Sequence, residues 1–358
     1  LTLRIFRLIL PVSFFPSMHV IHSSIHHLHN PALEFVESKL VEYAESPDRA
    51  DIIVETLAEE LRLNVIAPRE YTVAPVLDVH DAGYIAWLET AWKRWTEAGL
   101  DPSGVMPEFH PLGRLRGNLR TTSPLGLAGW YMCDSSAVIV EGTWEAAFGS
   151  ACCALTGASL LLEGEPYAFA LCRPPGHHAG RDFCGGYCFL NNAAIAAHYL
   201  TVNGGMRVCI LDVDYHHGNG TQDIVASHPG LSYVSLHGDP DFAYPYVSGF
   251  RDENTDRIVN MPFEKNVPVD TYLGLFGEAL NAVRDMRPGI LVFSLGVDTH
   301  NEDPIGGTML QSASYSIMAR MLLASLSIPI LIVMEGGYNT SRLGENVVSF
   351  LRPFMQKS

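Results

Sequence analysis

The chain has no run approaching the roughly 20 apolar residues needed to cross a bilayer, which points away from a spanning segment. It is short of cations: 23 Lys and Arg stand against 39 Asp and Glu, a formal charge of −16. That deficit disfavours a surface that tracks phosphates, and hence a nucleic-acid partner, while concentrating cations near the protein. Seven cysteines, an odd number mostly set in apolar runs between Cys133 and Cys209, do not form a secreted disulfide framework. Cys184 and Cys188 lack zinc-knuckle spacing and a second pair, so packed thiols in a reducing cytoplasm are expected. Internal repeats, low-complexity tracts and breaks in composition are also missing. With 358 residues and 47% hydrophobic content, one large core is expected.

The first 17 residues, LTLRIFRLILPVSFFPS, combine basic and apolar residues as a signal peptide does. Arg4, Arg7 and Pro11 interrupt the apolar stretch, and no small-residue cleavage site follows. Met18 is the natural start, because His19-Val20-Ile21-His22 already reads as a strand. We therefore expect residues 1–17 to be an upstream extension and 18–358 to be a single catalytic domain.

Short β-rich runs at 20–23, 64–67, 168–172, 207–212, 232–236, 290–295 and 328–334 lack clean polar alternation, as strands buried on both faces do. Helical patterns at 31–44, 50–61, 82–97, 141–163, 191–203, 269–286 and 312–326 separate most of them. The fold class is thus α/β: a mainly parallel, multi-stranded sheet with helices on both faces. Between 99 and 129 the pattern fails, and Asp101-Pro102-Ser103-Gly104, His110-Pro111-Leu112-Gly113 and Arg114, Arg116 and Arg120 predict a long irregular insertion. A loop of that length within a compact domain is functional or held by a partner unless it is a mobile surface loop.

Asp214-Tyr215-His216 follows the apolar run 207–213. Residues two apart point the same way from an extended backbone but lie about 200° apart on a helix, so this carboxylate and imidazole can grip one ion only from a strand-like segment. Three further loaded segments follow strands: Arg173-Pro174-Pro175-Gly176-His177-His178, Gly296-Val297-Asp298 and Glu335-Gly336-Gly337-Tyr338. In an open parallel sheet all strand C-termini share one edge, so these segments should converge on one pocket. Asp214, His216 and Asp298 supply two carboxylates and one imidazole and leave a fourth position open, the pattern of a catalytic zinc. His177 and His178 should face that metal, one as general base and the other as general acid, Asp212 fixing the tautomer of His177 and Asn219 that of His178. An amide stabilises imidazolium less than a carboxylate does, so the two should titrate differently. Tyr338, on a Gly-Gly turn, can donate to the oxyanion of a tetrahedral intermediate.

RPPGHHAG at 173–180, GGYCFLNNAAIAA at 185–197, LDVDYHHGNGTQD at 211–223, SLHGDP at 235–240, SLGVDTHNEDP at 294–304 and MEGGYN at 334–339 together resemble the histone deacetylase superfamily from about Met18 to the C-terminus. Within it the chain is most similar to the bacterial acetylpolyamine amidohydrolases, through Asp81-Ala82-Gly83-Tyr84, Leu88-Glu89-Thr90-Ala91-Trp92 and the long insertion that follows. The resemblance implies the arginase/deacetylase fold, Zn²⁺ on Asp214, His216 and Asp298, and catalytic roles for His177, His178 and Tyr338. It also implies a monovalent cation, K⁺, enclosed by Asp212, Ser235 and the carbonyls of Asp214, His216 and Leu236. Gly186 and Tyr187, with Tyr244, would flank a narrow substrate tunnel. The 99–129 insertion would pack across a homodimer and narrow the entrance, admitting acetylpolyamines or other slim acyl amines and excluding bulky proteins.

One departure bears on the substrate. Polyamine-specific relatives carry an acidic residue in the insertion where this chain has Leu125, ahead of Gly129-Trp130-Tyr131; Glu108 is a candidate substitute. Deacetylation of acetyl-lysine peptides or other small amides is the alternative. An arginase-like dimanganese ureohydrolase needs an Asp-x-His-x-Asp run, and position 218 is glycine. An inactive acyl-amine binding protein would lack some of these side chains, and all are present.

Overall fold

The apolar runs assemble as their burial on both faces requires. A computed structural model describes residues 18–36, 39–111 and 117–355. In chain order it contains β1 (His19–His22), β2 (Leu33–Val36), β3 (Lys39–Glu42), α1 (Asp48–Glu60), β4 (Val65–Ile66), α2 (Ala74–Leu77), α3 (Ala82–Glu97), α4 (Pro124–Tyr131), α5 (Thr143–Leu162), β5 (Tyr167–Leu171), α6 (Asn192–Gly204), β6 (Val208–Asp212), α7 (Asn219–Ser227), β7 (Leu231–Gly238), β8 (Ile258–Phe263), α8 (Val269–Met286), β9 (Ile290–Leu295), α9 (Ser312–Ser325), β10 (Ile330–Met334) and α10 (Thr340–Leu351). Eight strands form one sheet in the order β4-β1-β5-β10-β9-β6-β7-β8, every neighbour parallel.

Successive strand residues feed opposite cores. Ala168, Ala170, Ile210 and Val333 pack with α3, α5 and α6 on one face, and Phe169, Leu171, Leu211 and Ile332 pack with α1, α8, α9 and α10 on the other. This two-sided burial is why no polar alternation marks the strands. Helix α5 does reach the length and hydropathy of a membrane span, contrary to expectation, but 83% of its most apolar window is buried inside the fold. It is a core helix.

The order of the sheet places the chemistry. β5, β10, β9 and β6 are consecutive neighbours at its centre, and the four loaded segments leave their C-terminal ends side by side.

Two further expectations fail. The stretch 31–44 is not a helix but the antiparallel hairpin β2–β3, with Leu33 opposite Glu42 and Glu34 opposite Val41. Glu34 is the residue its first strand buries, and its carboxylate accepts hydrogen bonds from the Ala44 amide at 2.8 Å and the Tyr187 hydroxyl at 2.9 Å. Tertiary bonding here overrides apolar spacing. The insertion is not irregular throughout: α4 starts at Pro124, which suits a first helical turn, and stacks Tyr131 on Trp87 of α3 at 5.0 Å. α3 and α8 occupy 82–97 and 269–286 as expected, whereas β8, α2, α7 and α10 carried no recognised signal. Residues 1–17, Arg114 and Arg116 lie outside the described residues.

Candidate active site

Asp214 and His216 follow β6 and Asp298 follows β9, and their ligand atoms lie within 4.8 Å of one another, all three buried. The Nδ1 of His216 stands 3.0 Å from Asp298 Oδ2 and 3.3 Å from Asp214 Oδ1. Backbone amides orient both carboxylates: His216 N and Gly336 N donate to Asp214, and Tyr215 N donates to Asp298 Oδ1 at 2.9 Å. Burial, with Asp214 alongside, pushes Asp298 up to about 7. Burial also opposes charge on His216, yet its bonds to Asp214 and Asp298 raise it to about 9. Two buried carboxylates held together in this way call for positive charge. Two oxygen donors and one imidazole nitrogen fit a divalent ion of the zinc class.

His177 and His178 come from the turn after β5. His177 Nδ1 donates to Asp212 Oδ2 at 3.1 Å, and its Nε2 is 3.7 Å from Asp214 Oδ1. His178 Nδ1 lies 2.8 Å from Asn219 Oδ1. That oxygen only accepts, so Nδ1 carries the proton and Nε2 keeps its lone pair. The two imidazoles are driven apart as their partners require. Burial works against charge on His177, but Asp214 and Asp212 outweigh it and raise the group to about 10. Burial, then repulsion from His177 and His216, holds His178 well below the ordinary histidine value.

Tyr338 follows β10 on a turn that other buried groups hold. Asp303 Oδ2 accepts from the Tyr338 amide at 2.7 Å, and the Arg49 guanidinium lies 4.7 Å from the Tyr338 ring centroid. Arg49 also donates to the carbonyls of Gly337 and Glu335. Burial, above the opposing effect of Arg49, keeps the Tyr338 phenol well above its ordinary pKa and therefore protonated. Glu335 itself accepts from the amides of Gly176 and His177, joining the turn after β10 to the one after β5. Sequence reasoning missed Arg49, Asp303 and Glu335. Glu335 and Asp303 sit in the quoted motifs, but Arg49 carries no local signal.

His178, His216 and Tyr338 open into a cavity of about 550 Å³ that Gly186, Tyr187 and Tyr244 also line. Tyr187 packs on Tyr338 at 5.5 Å and Tyr244 edge-on to His178 at 4.8 Å. Gly186 has φ +50°, and a Cβ there would fall 2.3 Å from His178 Cδ2, so only glycine lets this wall close on the imidazole. Asp134, also missed, accepts from the Tyr244 hydroxyl and the Gly186 amide and so ties these two parts of the wall together. Glu108 and Leu125 do not line the cavity within one chain. Glu108 borders a separate hollow with Trp95 and Asp101, and Leu125 packs partly buried against the core. Asp212 and Ser235 sit opposite one another in the β6–β7 register, beside Leu236, all buried.

Residues 43–353 match the histone deacetylase domain. The chain belongs to that family. This histone deacetylase family member is 41% identical to acetylpolyamine amidohydrolase 1 of Pseudomonas aeruginosa over 93% of its length and 98% of the relative's. It is also 41% identical to the acetylpolyamine amidohydrolase of Mycoplana ramosa, over 94% and 99%. Among solved structures, the acetylpolyamine aminohydrolase of Burkholderia pseudomallei superposes with a TM-score of 0.88 at 35% identity, covering 94% of this chain and 98% of that one. The architecture described above is therefore the deacetylase fold.

Proposed function

We propose that the chain is a zinc-dependent amidohydrolase that removes the acetyl group from small, slim, cationic amines, acetylpolyamines foremost, releasing acetate. The observation that carries this reading is the meeting of two carboxylates, three imidazoles and a phenol from four neighbouring strand ends beneath one aromatic-walled cavity. The relatives named as acetylpolyamine amidohydrolases support the substrate class. So does the cavity wall. Its lining includes the carboxylates of Glu34 and Glu42 of the hairpin and a single ammonium, Lys265. Those carboxylates offer the counter-charge that Leu125 does not.

Asp214, His216 and Asp298 would hold the zinc. Bound there, the ion supplies a Lewis acid and lowers the pKa of a water molecule. His178 Nε2, neutral and facing the cavity, takes the proton of the attacking water and delivers it to the departing amine. His177, its ring oriented by the bond from Nδ1 to Asp212, stands beside His178 as the second imidazole at the reacting centre. The Tyr338 hydroxyl donates to the oxygen of the acetyl carbonyl as charge develops on it. Tyr187 and Tyr244 flank an extended chain and exclude water from the amide. Asp212, Ser235 and the carbonyls of Asp214, His216 and Leu236 would enclose a K⁺ behind this centre. A second copy of the chain packs on the 99–129 insertion, beside which the hairpin exposes Phe35 and Leu40. Seven free cysteines, six of them buried, suit a reducing cytoplasm.

An arginase-like dimetal centre is disfavoured by more than motif. A Cβ at Gly218 would lie 2.5 Å from the Tyr233 hydroxyl and 2.6 Å from Asp212 Oδ2, so an aspartate does not fit there.

The test is kcat/KM across a panel of acetylputrescine, acetylcadaverine, a small acetyl-lysine amide and an acetylated histone peptide. The small amines are expected to lead. Faster cleavage of the long peptide would overturn the narrow-cavity reading, and no turnover on any member would reduce the chain to a binding protein.

A further inference from the structure

Five histidines fall within eleven residues at the start of the described chain: His19, His22, His26, His27 and His29. None belongs to the site above. His22 ends β1, His26 and His27 sit in the 3₁₀ turn that follows, and Asp51 lies in the first turn of α1. The ligand atoms of His22, His26 and Asp51 all lie within 4.8 Å of one another. His26 Nε2 is 3.4 Å from Asp51 Oδ1, and His27 Nε2 is 2.9 Å from Asp51 Oδ2. The rings crowd together, with centroids 4.8 Å apart for His22 and His26 and 3.9 Å for His26 and His27.

Hydrogen bonding within the chain does not account for this cluster. His26 is 1% exposed, yet its Nε2 has no hydrogen-bond partner among the described residues, and the buried Nδ1 of His22 has none there either. Buried ring nitrogens are rarely left so, and each one asks for a missing partner. A nitrogen on a metal needs its ring's other nitrogen protonated, and for His26 that is Nδ1, which lies 3.4 Å from Arg173 Nη1. Arg173 only donates, so an ion on Nε2 requires this long contact to give way and the proton to sit on Nδ1. Arg173 is satisfied instead by the carbonyls of His26, Glu45 and Ser46.

We propose that His22, His26 and Asp51, with His27 in reach as a fourth donor, form a second divalent-metal site, separate from the Asp214–His216–Asp298 centre. Imidazoles with a single carboxylate select zinc-class ions over calcium or magnesium, which require oxygen donors. Asp51 is 40% exposed, so the ion enters from solvent. Its role follows from what it joins. The 3₁₀ turn supplies the His26 carbonyl that holds Arg173, next to the turn bearing His177 and His178, and α1 supplies Arg49, which braces the turn bearing Tyr338. A metal clip between turn and helix locks both supports to one another.

The test uses the full-length chain without a histidine tag, stripped with chelator, reloaded with ZnCl₂, desalted and measured for zinc by elemental analysis. The unaltered chain should hold two equivalents. His22→Gln with Asp51→Asn should hold one, keep its deacetylase activity, and lose the part of the zinc-induced rise in melting temperature that belongs to this site. Asp51→Asn alone, which alters one partly exposed side chain, should weaken the second equivalent at least tenfold in a zinc titration followed by calorimetry. Equal zinc content and equal titration curves for the unaltered and altered chains would overturn the proposal. The comparison does not depend on the catalytic reading, which Asp298→Ala probes separately by removing the other equivalent.

Discussion

Replacing Tyr338 with phenylalanine removes one oxygen and leaves the loop's supports in place. The backbone amide of Tyr338 stays on Asp303, Arg49 keeps its bonds to the Gly337 and Glu335 carbonyls, and the ring keeps Tyr187 and Arg49 as neighbours. The substitution thus deletes a donor without a cavity of consequence. Loss of one oxyanion donor costs about 10² to 10³ in kcat, about 3 kcal/mol of transition-state stabilisation. Because the donor acts on charge that develops only in the transition state, KM should move by less than about threefold. The assay is steady-state hydrolysis of a fluorogenic acetyl-lysine amide, with zinc content measured on the same preparation. Unchanged kcat at unchanged zinc would remove the phenol from the oxyanion role. A kcat loss accompanied by zinc loss would refute the reasoning that the hydroxyl acts apart from the metal ligands.

Gly186→Ala should lower kcat at least tenfold while the protein remains folded, because the added methyl meets His178 Cδ2 in a left-handed backbone segment. Full activity with unchanged circular dichroism would show that the wall yields without disturbing the imidazole. Glu34→Gln removes a charge from the cavity wall and keeps an acceptor for only one of its two donors, the Ala44 amide and the Tyr187 hydroxyl. It should lower kcat/KM for acetylputrescine by about tenfold, about 1.5 kcal/mol, and spare a neutral acetyl amide. Equal losses on both substrates would assign Glu34 to wall structure rather than to recognition of a cation.

Much of the site was legible because its parts are local. The two-residue spacing of Asp214 and His216 requires an extended backbone, and the adjacency of His177 and His178 puts two imidazoles on one turn. The partners Asp212 and Asn219 were also readable, since each lies close to Asp214 and His216 in sequence. Glu34 was not. It sits in a segment whose apolar spacing mimics a helix, and its burial depends on Tyr187, 153 residues away. Arg49 is likewise an ordinary helical arginine until the fold sets it beneath residues 335–338, 286 to 288 residues later. Asp134 and its hold on the Tyr244 hydroxyl belong to the same class.

By itself the sequence determined the alternation of buried strands and helices, the edge at which the loaded segments end, and the donor types available there, because these follow from backbone periodicity and side-chain chemistry over a few residues. Only the tertiary structure decided that β5, β10, β9 and β6 stand side by side. It alone set which carboxylates face the cavity, turned 31–44 into a hairpin, and brought His22 and His26 against Asp51. Those outcomes depend on contacts between residues remote in the chain, whose free energy exists only once the sheet has closed around its two cores.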